Sequence, residues 1–268
     1  MKSYICIREF WCFTLSEKFK LLNTLKRQGE IFTFEEAWEV SSLKKESLRV
    51  LLSRMEKEGW IERIEKGKYL IIPLGAEKNR YTIHEFLIAS ALVKPAVISF
   101  WSALNYHGLT EQIPGTVFIQ STARKKQREL EVFGVRYKIV RIKEEKFYGF
   151  ENIWIGNSRV LISNPEKTIA DCLEKPKYCG GIIEVAKALK GDIDLQKVLE
   201  YAKRNENSAV IKRLGYLCEL LGIRINIPGE YLTKGYSSLD PSIKSGGSLN
   251  KKWNLVDNIK EKMFEALE

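Results

Sequence analysis

Between Lys44 and Gly59, the residues Leu48, Leu51, Leu52 and Met55 fall at i, i+3, i+4 and i+7, the strongest constraint in the chain. Apolar residues at that spacing form one stripe of a helix, so the stripe must be buried and the opposite side must face water. At about 100° per residue that side carries Glu46, Arg49, Val50, Ser53, Arg54 and Lys57, with Lys44, Lys45 and Ser47 towards its N-terminal end. Such side chains hydrogen-bond phosphates and base edges, and free backbone N–H groups at a helix start favour a phosphate too.

The flanking residues say what kind of domain this helix serves. Upstream, Thr14-Leu15-Ser16-Glu17 has the form of a capping box, followed by Leu15, Phe19, Leu22 and Leu25 at helical spacing and by Gly29 as a stop. Glu30-Ile31-Phe32 predicts a short strand. Thr33-Phe34-Glu35-Glu36 repeats the capping box for a second, short helix that Ser41 and Ser42 break, either hydroxyl being suited to cap the third helix. Downstream, Trp60–Ile64 and Lys68–Pro73 flank Glu65-Lys66-Gly67 as two strands around a glycine turn, whose tip offers Lys66 and Lys68, with Arg63 nearby. Helix, strand, helix, basic helix and hairpin in that order predict a winged helix-turn-helix over residues 14–78 that binds double-stranded DNA.

Composition permits this and narrows the alternatives. The 268 residues have 44 Lys and Arg against 34 Asp and Glu, a formal net charge of +10, which favours polyanionic partners. The charge is spread: 15 bases and 12 acids lie within residues 1–78, 29 and 22 beyond. No apolar run approaches a membrane span, Arg8 and Glu9 interrupt the opening where a signal peptide would be apolar, and no lipidation signal occurs, so a cytoplasmic protein without a membrane partner is expected. Five cysteines without a C-x-x-C pair indicate neither a disulfide framework nor a zinc ribbon, and the two histidines, His84 and His107, fall in different elements. No metal, cofactor or catalytic residue is expected, since the nucleotide-loop, zinc-protease and nucleophile-elbow motifs are all missing. The remaining enzymatic reading is a metal-dependent nuclease using Asp171 and Glu184 with Lys187; on a helix, Glu184 and Lys187 also read as an i, i+3 ion pair.

Residues 79–268 predict a larger mixed domain and make the whole chain α+β. Helices are expected at 84–93 and 99–106, strands at 116–120, 129–133, 135–142, 152–155 and 159–162, helices at 164–173, 181–189, 195–204 and 208–221, and a last strand at 252–256. The run Arg124-Lys125-Lys126-Gln127-Arg128 is the densest positive cluster and a candidate phosphate contact.

Four segments in order carry a resemblance: Ser99-Phe100-Trp101-Ser102-Ala103-Leu104-Asn105-Tyr106-His107-Gly108-Leu109-Thr110, Asn164-Pro165-Glu166-Lys167-Thr168-Ile169-Ala170-Asp171-Cys172-Leu173, Tyr178-Cys179-Gly180-Gly181 and Lys252-Trp253-Asn254-Leu255. In these the chain resembles the AbiEi-type antitoxins. The resemblance implies a DNA-binding autorepressor of its own operon, acting at inverted repeats, whose second domain is the antitoxin of a type IV toxin–antitoxin system for phage defence. It further implies a nucleotidyltransferase-like toxin as functional partner without a stable complex. An ordinary winged-helix regulator without a toxin, and an adaptor that holds a partner through the second domain, are the other readings. Residues 1–13 lie outside the resemblance and receive no role.

Overall fold

The computed structural model describes residues 15–73, 75, 76, 81, 83–244 and 246–259, arranged as two compact units. One unit runs to Leu92 and the other holds nearly everything from Val93 onward.

In the first unit α1 (Leu15–Lys26), β1 (Ile31–Thr33), α2 (Phe34–Ser41), α3 (Lys45–Lys57), β2 (Ile61–Glu65), β3 (Lys68–Ile71) and α4 (Glu85–Leu92) follow in chain order. The three strands form an antiparallel sheet in the order β1-β3-β2. Leu48, Leu51, Leu52 and Met55 of α3 are all buried, as their spacing requires, and close on Leu21, Leu22, Leu25, Phe32, Ala37, Ile61, Tyr69 and Ile71. The capping box at Thr33 is present: its Oγ1 accepts from the Glu36 N–H at 3.2 Å and Glu36 Oε2 accepts from the Thr33 N–H at 2.7 Å.

Two expectations at the helix starts need correction. Neither serine caps α3. Ser41 Oγ donates to the Trp38 carbonyl and accepts from the Leu43 N–H, and Ser42 sits at φ 52° as the left-handed end of α2. Both are spent in turning the chain between the helices, so Lys44 occupies the N-cap without a side-chain hydrogen bond. On α1, Leu15 and Phe19 are exposed rather than in the core, because only Leu21, Leu22 and Leu25 reach the described core. The expected cap Thr14 and the segment 1–13 lie outside the described residues.

The second unit is built on a six-stranded mixed sheet. Its strands are β4 (Val97–Ile98), β5 (Thr116–Ser121), β6 (Glu129–Val132), β7 (Val135–Arg141), β8 (Phe150–Ile155) and β9 (Ser158–Ser163), in the order β6-β7-β5-β4-β9-β8. No strand is expected at β4 from the sequence. It is only two residues long, yet both are fully buried and it joins the halves of the sheet, pairing antiparallel with β5 and parallel with β9.

Of its helices, α5 (Phe100–Tyr106) lies on β5, and α6 (Pro165–Glu174), α7 (Ile182–Ala188), α8 (Leu195–Arg204) and α9 (Ser208–Leu220) complete a helical layer. Eight consecutive residues of α6, from Glu166 to Leu173, are buried, because α5, α7, α8 and α9 all pack on it. A small sheet of β10 (Ser237–Ser238), β12 (Leu255–Asp257) and β11 (Ser248–Asn250), in that order, follows.

The last strand expected at 252–256 is shorter and later than its pattern suggests. Residues 251–254 form a turn with Asn254 at φ 50°, and Trp253 leaves the strand direction to cover Gly215 of α9. A Cβ at Gly215 would run into the Trp253 ring, so the glycine is there to let the indole approach the helix backbone.

Candidate nucleic-acid interface

The buried stripe of α3 fixes which side chains it presents outward. Lys44, Lys45, Arg49, Ser53, Arg54 and Lys57 are exposed, and Ser47 is half-buried. Aromatic rings of the preceding helix hold two of the cations: Lys45 Nζ lies 4.1 Å from the centroid of the Trp38 ring, and the Arg49 guanidinium 5.4 Å from that of Phe34. Arg49 also pairs loosely with Glu46 at 3.8 Å.

The hairpin β2–β3 turns at Lys66-Gly67, where Gly67 takes φ 78°. Lys66 is exposed at the tip. Lys68, expected beside it, is turned inward: its ammonium pairs with Glu65 at 2.7 Å and donates to the Leu92 carbonyl at 3.0 Å. Sequence spacing put both lysines at the tip, but the carbonyl that captures Lys68 belongs to α4, whose position no local pattern reveals. Arg63 is exposed, with Glu56 at 3.5 Å and the Tyr69 ring at 5.6 Å.

In the other unit, the basic run occupies the loop between β5 and β6. Arg124, Lys126 and Arg128 are exposed and Lys125 is half-buried.

The Asn164–Leu173 motif forms a buried polar network. Asn164 caps α6, its Oδ1 accepting from the Lys167 N–H at 2.9 Å and its Nδ2 donating to the Tyr201 hydroxyl at 3.0 Å. Lys167, fully buried, is ion-paired with Asp171, whose other oxygen accepts from Gln120 Nε2 at 2.7 Å. Tyr148 covers the pair: the Lys167 ammonium lies 5.0 Å and the Arg204 guanidinium 3.5 Å from the centroid of its ring. Burial, helped by the Asp171 charge, pushes the Tyr148 hydroxyl up to about 12. Tyr148, Tyr201, Arg204 and Asn205 were not singled out from sequence, since nothing local ties them to residues 164–171.

The carboxylates considered for metal chemistry are committed elsewhere. Asp171 is bound to Lys167 and Gln120. Glu184 accepts from Thr110 at 3.0 Å, Gln112 at 3.2 Å and Lys187 at 3.0 Å. Among the described residues no group of three or more acidic, histidine or cysteine side chains could hold a metal ion. His107 sits at the end of α5 with Nε2 2.7 Å from the Ser163 carbonyl; a carbonyl only accepts, so this nitrogen carries the hydrogen. Cys172, Cys179 and Cys218 are buried free thiols, and burial raises Cys172 well above the ordinary thiol range and Cys218 to about 11.

None of the described helices is long and apolar enough to cross a membrane. No curated protein matches the chain. Residues 20–72, from within α1 to just past β3, match the family described as transcriptional regulator, AbiEi antitoxin, so this segment of the chain is similar to the AbiEi-type regulators.

Proposed function

We propose that the protein is a DNA-binding autorepressor of its own operon and the antitoxin of a type IV toxin–antitoxin pair. In this reading α3 enters the major groove at inverted repeats in the promoter, while Lys66, Arg63 and the run Arg124, Lys125, Lys126 and Arg128 grip phosphates. The observation that carries it is the outward face of α3, with Lys44, Lys45, Ser47, Arg49, Ser53, Arg54 and Lys57 beside the exposed Lys66 at the hairpin turn. The second unit opposes a nucleotidyltransferase-like toxin in the cytoplasm, without a stable complex and in defence against phage.

Gel shifts against the promoter and against random DNA test the DNA half of this proposal. Arg49→Ala or Arg54→Ala should relax sequence preference at a cost of about 1–3 kcal/mol, while Lys66→Ala should weaken both DNAs alike and lower the salt slope by about one. Lys68→Ala should do much less, its ammonium being held within its own unit. Equal losses on both DNAs from the α3 arginines would remove the recognition-helix role. Intact DNA in the presence of Mg²⁺ is expected, and cleavage would restore the nuclease reading. Co-expression with the neighbouring gene's product, followed by size exclusion, tests the antitoxin half: rescue of growth without co-elution is expected, and co-elution would indicate sequestration.

A further inference from the structure

A cavity of about 570 Å³ opens between the end of β7, the 3-10 turn at Glu144–Lys146 and the C-terminal ends of α6 and α8. That volume suits a ligand of nucleotide size. Its walls are unusual in charge. Arg141, Lys143, Lys175 and Arg204 all line it, and among the described residues none of the four has a carboxylate within ion-pair distance. Lys146 and Glu174 neutralise each other at 2.6 Å, which leaves only Glu145 and Glu206 against the four cations.

Helix ends explain part of this set. Lys175 and Arg204 close α6 and α8, where a cation answers the partial negative charge of the last carbonyls. Arg141 and Lys143 stand on the strand side and have no such reason; Arg141 uses only Nε, on the Thr122 carbonyl at 3.3 Å. Two further features suit an anion. Asn207, on the wall, is the N-cap of the 13-residue α9, so the positive end of that helix adjoins the cavity. Asn205, also on the wall and 4% exposed, accepts from the Tyr148 hydroxyl at 2.7 Å, but its Nδ2 donor is unspent. The Arg204 guanidinium lies 3.5 Å from the centroid of the Tyr148 ring, a contact that restricts its side chain before any ligand arrives.

We infer that this cavity binds a small phosphate ester of nucleotide size carrying two or more negative charges. Such a ligand supplies the acceptors that four clustered cations and the Asn205 amide lack, through charge-assisted hydrogen bonds. The inference is independent of the DNA-binding proposal, since it concerns a concave site and a small ligand.

Isothermal titration of the full chain at low salt with pyrophosphate, AMP, ATP and uncharged adenosine tests it. The charged ligands should bind and adenosine should not. The double variant Lys143→Ala/Lys175→Ala, of an exposed and a half-buried lysine, should weaken that binding roughly tenfold or more, and the single variant Lys143→Ala, at the exposed position, should weaken it in part with an unchanged melting temperature. Lys251→Ala, which lies off the cavity, should leave it unchanged. Absence of binding by every charged small ligand, or equal binding by the double variant, would overturn the inference. Binding of duplex DNA alone at a site sensitive to these lysines would also overturn it, and would assign the cations to nucleic-acid phosphates.

Discussion

Lys167 and Asp171 lie one helical turn apart on α6, and on an exposed helix such a pair would contribute a few tenths of a kcal/mol. Here both are buried, so the cost of breaking the pair is dominated by the charge left behind. Asp171→Ala should destabilise the protein by about 3–5 kcal/mol in urea or thermal unfolding, because Lys167 then has only the Tyr148 ring for company. Replacing both, Lys167→Met with Asp171→Leu, should cost less than the single change. A single variant that unfolds no more easily than the parent would mean that water reaches the site. The same residues show where sequence reading stops. The i, i+4 spacing is visible in the chain, but burial and the Gln120 partner on β5 are not.

At the scale of elements, local rules were reliable where the signal was local. The capping box at Thr33 forms as read, and Thr33→Ala should lower stability by about 0.5–2 kcal/mol in denaturant unfolding, with the loss confined to the unit that holds α2. Glu36→Ala should lose part of the same energy, and the two changes together less than their sum, since they share one reciprocal pair. Periodicity placed α3 and its buried stripe, and the five longer strands of the large sheet, within a residue or two. It failed on β4, which is too short to show alternation, and on β10 and β11, at two and three residues. Among the candidate DNA contacts, exposure followed from the α3 stripe, whereas the engagement of Lys68 depended on α4 arriving beside it.

At the scale of the whole molecule, the buried thiols respond to alkali through burial rather than charge pairing. Cys218 is an acid whose neutral form the fold favours, its pKa being pushed up to about 11 by burial. The unfolded chain loses this proton from about pH 8.5 upward, the folded chain only near 11, so the unfolded state holds fewer protons in that window and stability falls as pH rises. Cys172 and Tyr148 are shifted the same way by the same cause. Cys218 should therefore contribute a decline in urea midpoints between about pH 8.5 and 11, about 2 kcal/mol after allowance for solvent screening, which the buried Arg213, its pKa lowered to about 10, opposes near the top of that window. Cys218→Ala should flatten the decline even if it lowers stability at neutral pH. An unchanged slope would mean that the thiol ionises freely in the folded protein.

The sequence by itself determined the winged-helix order, the buried and outward sides of α3, the α+β character of the second unit and the AbiEi-type resemblance. Each follows from patterns that repeat within one helix or strand, or from motifs read in order. Only the tertiary structure decided that Lys68 is held inward while Lys66 is exposed, that a two-residue strand joins the large sheet, and that Lys167, Asp171, Gln120 and Tyr148 share one buried network. It alone gathered Arg141, Lys143, Lys175 and Arg204 around one cavity. The physical reason is common to all of these: they depend on groups far apart in the chain, and such proximity is set by the packing of whole elements, which leaves no periodic trace in the residues involved.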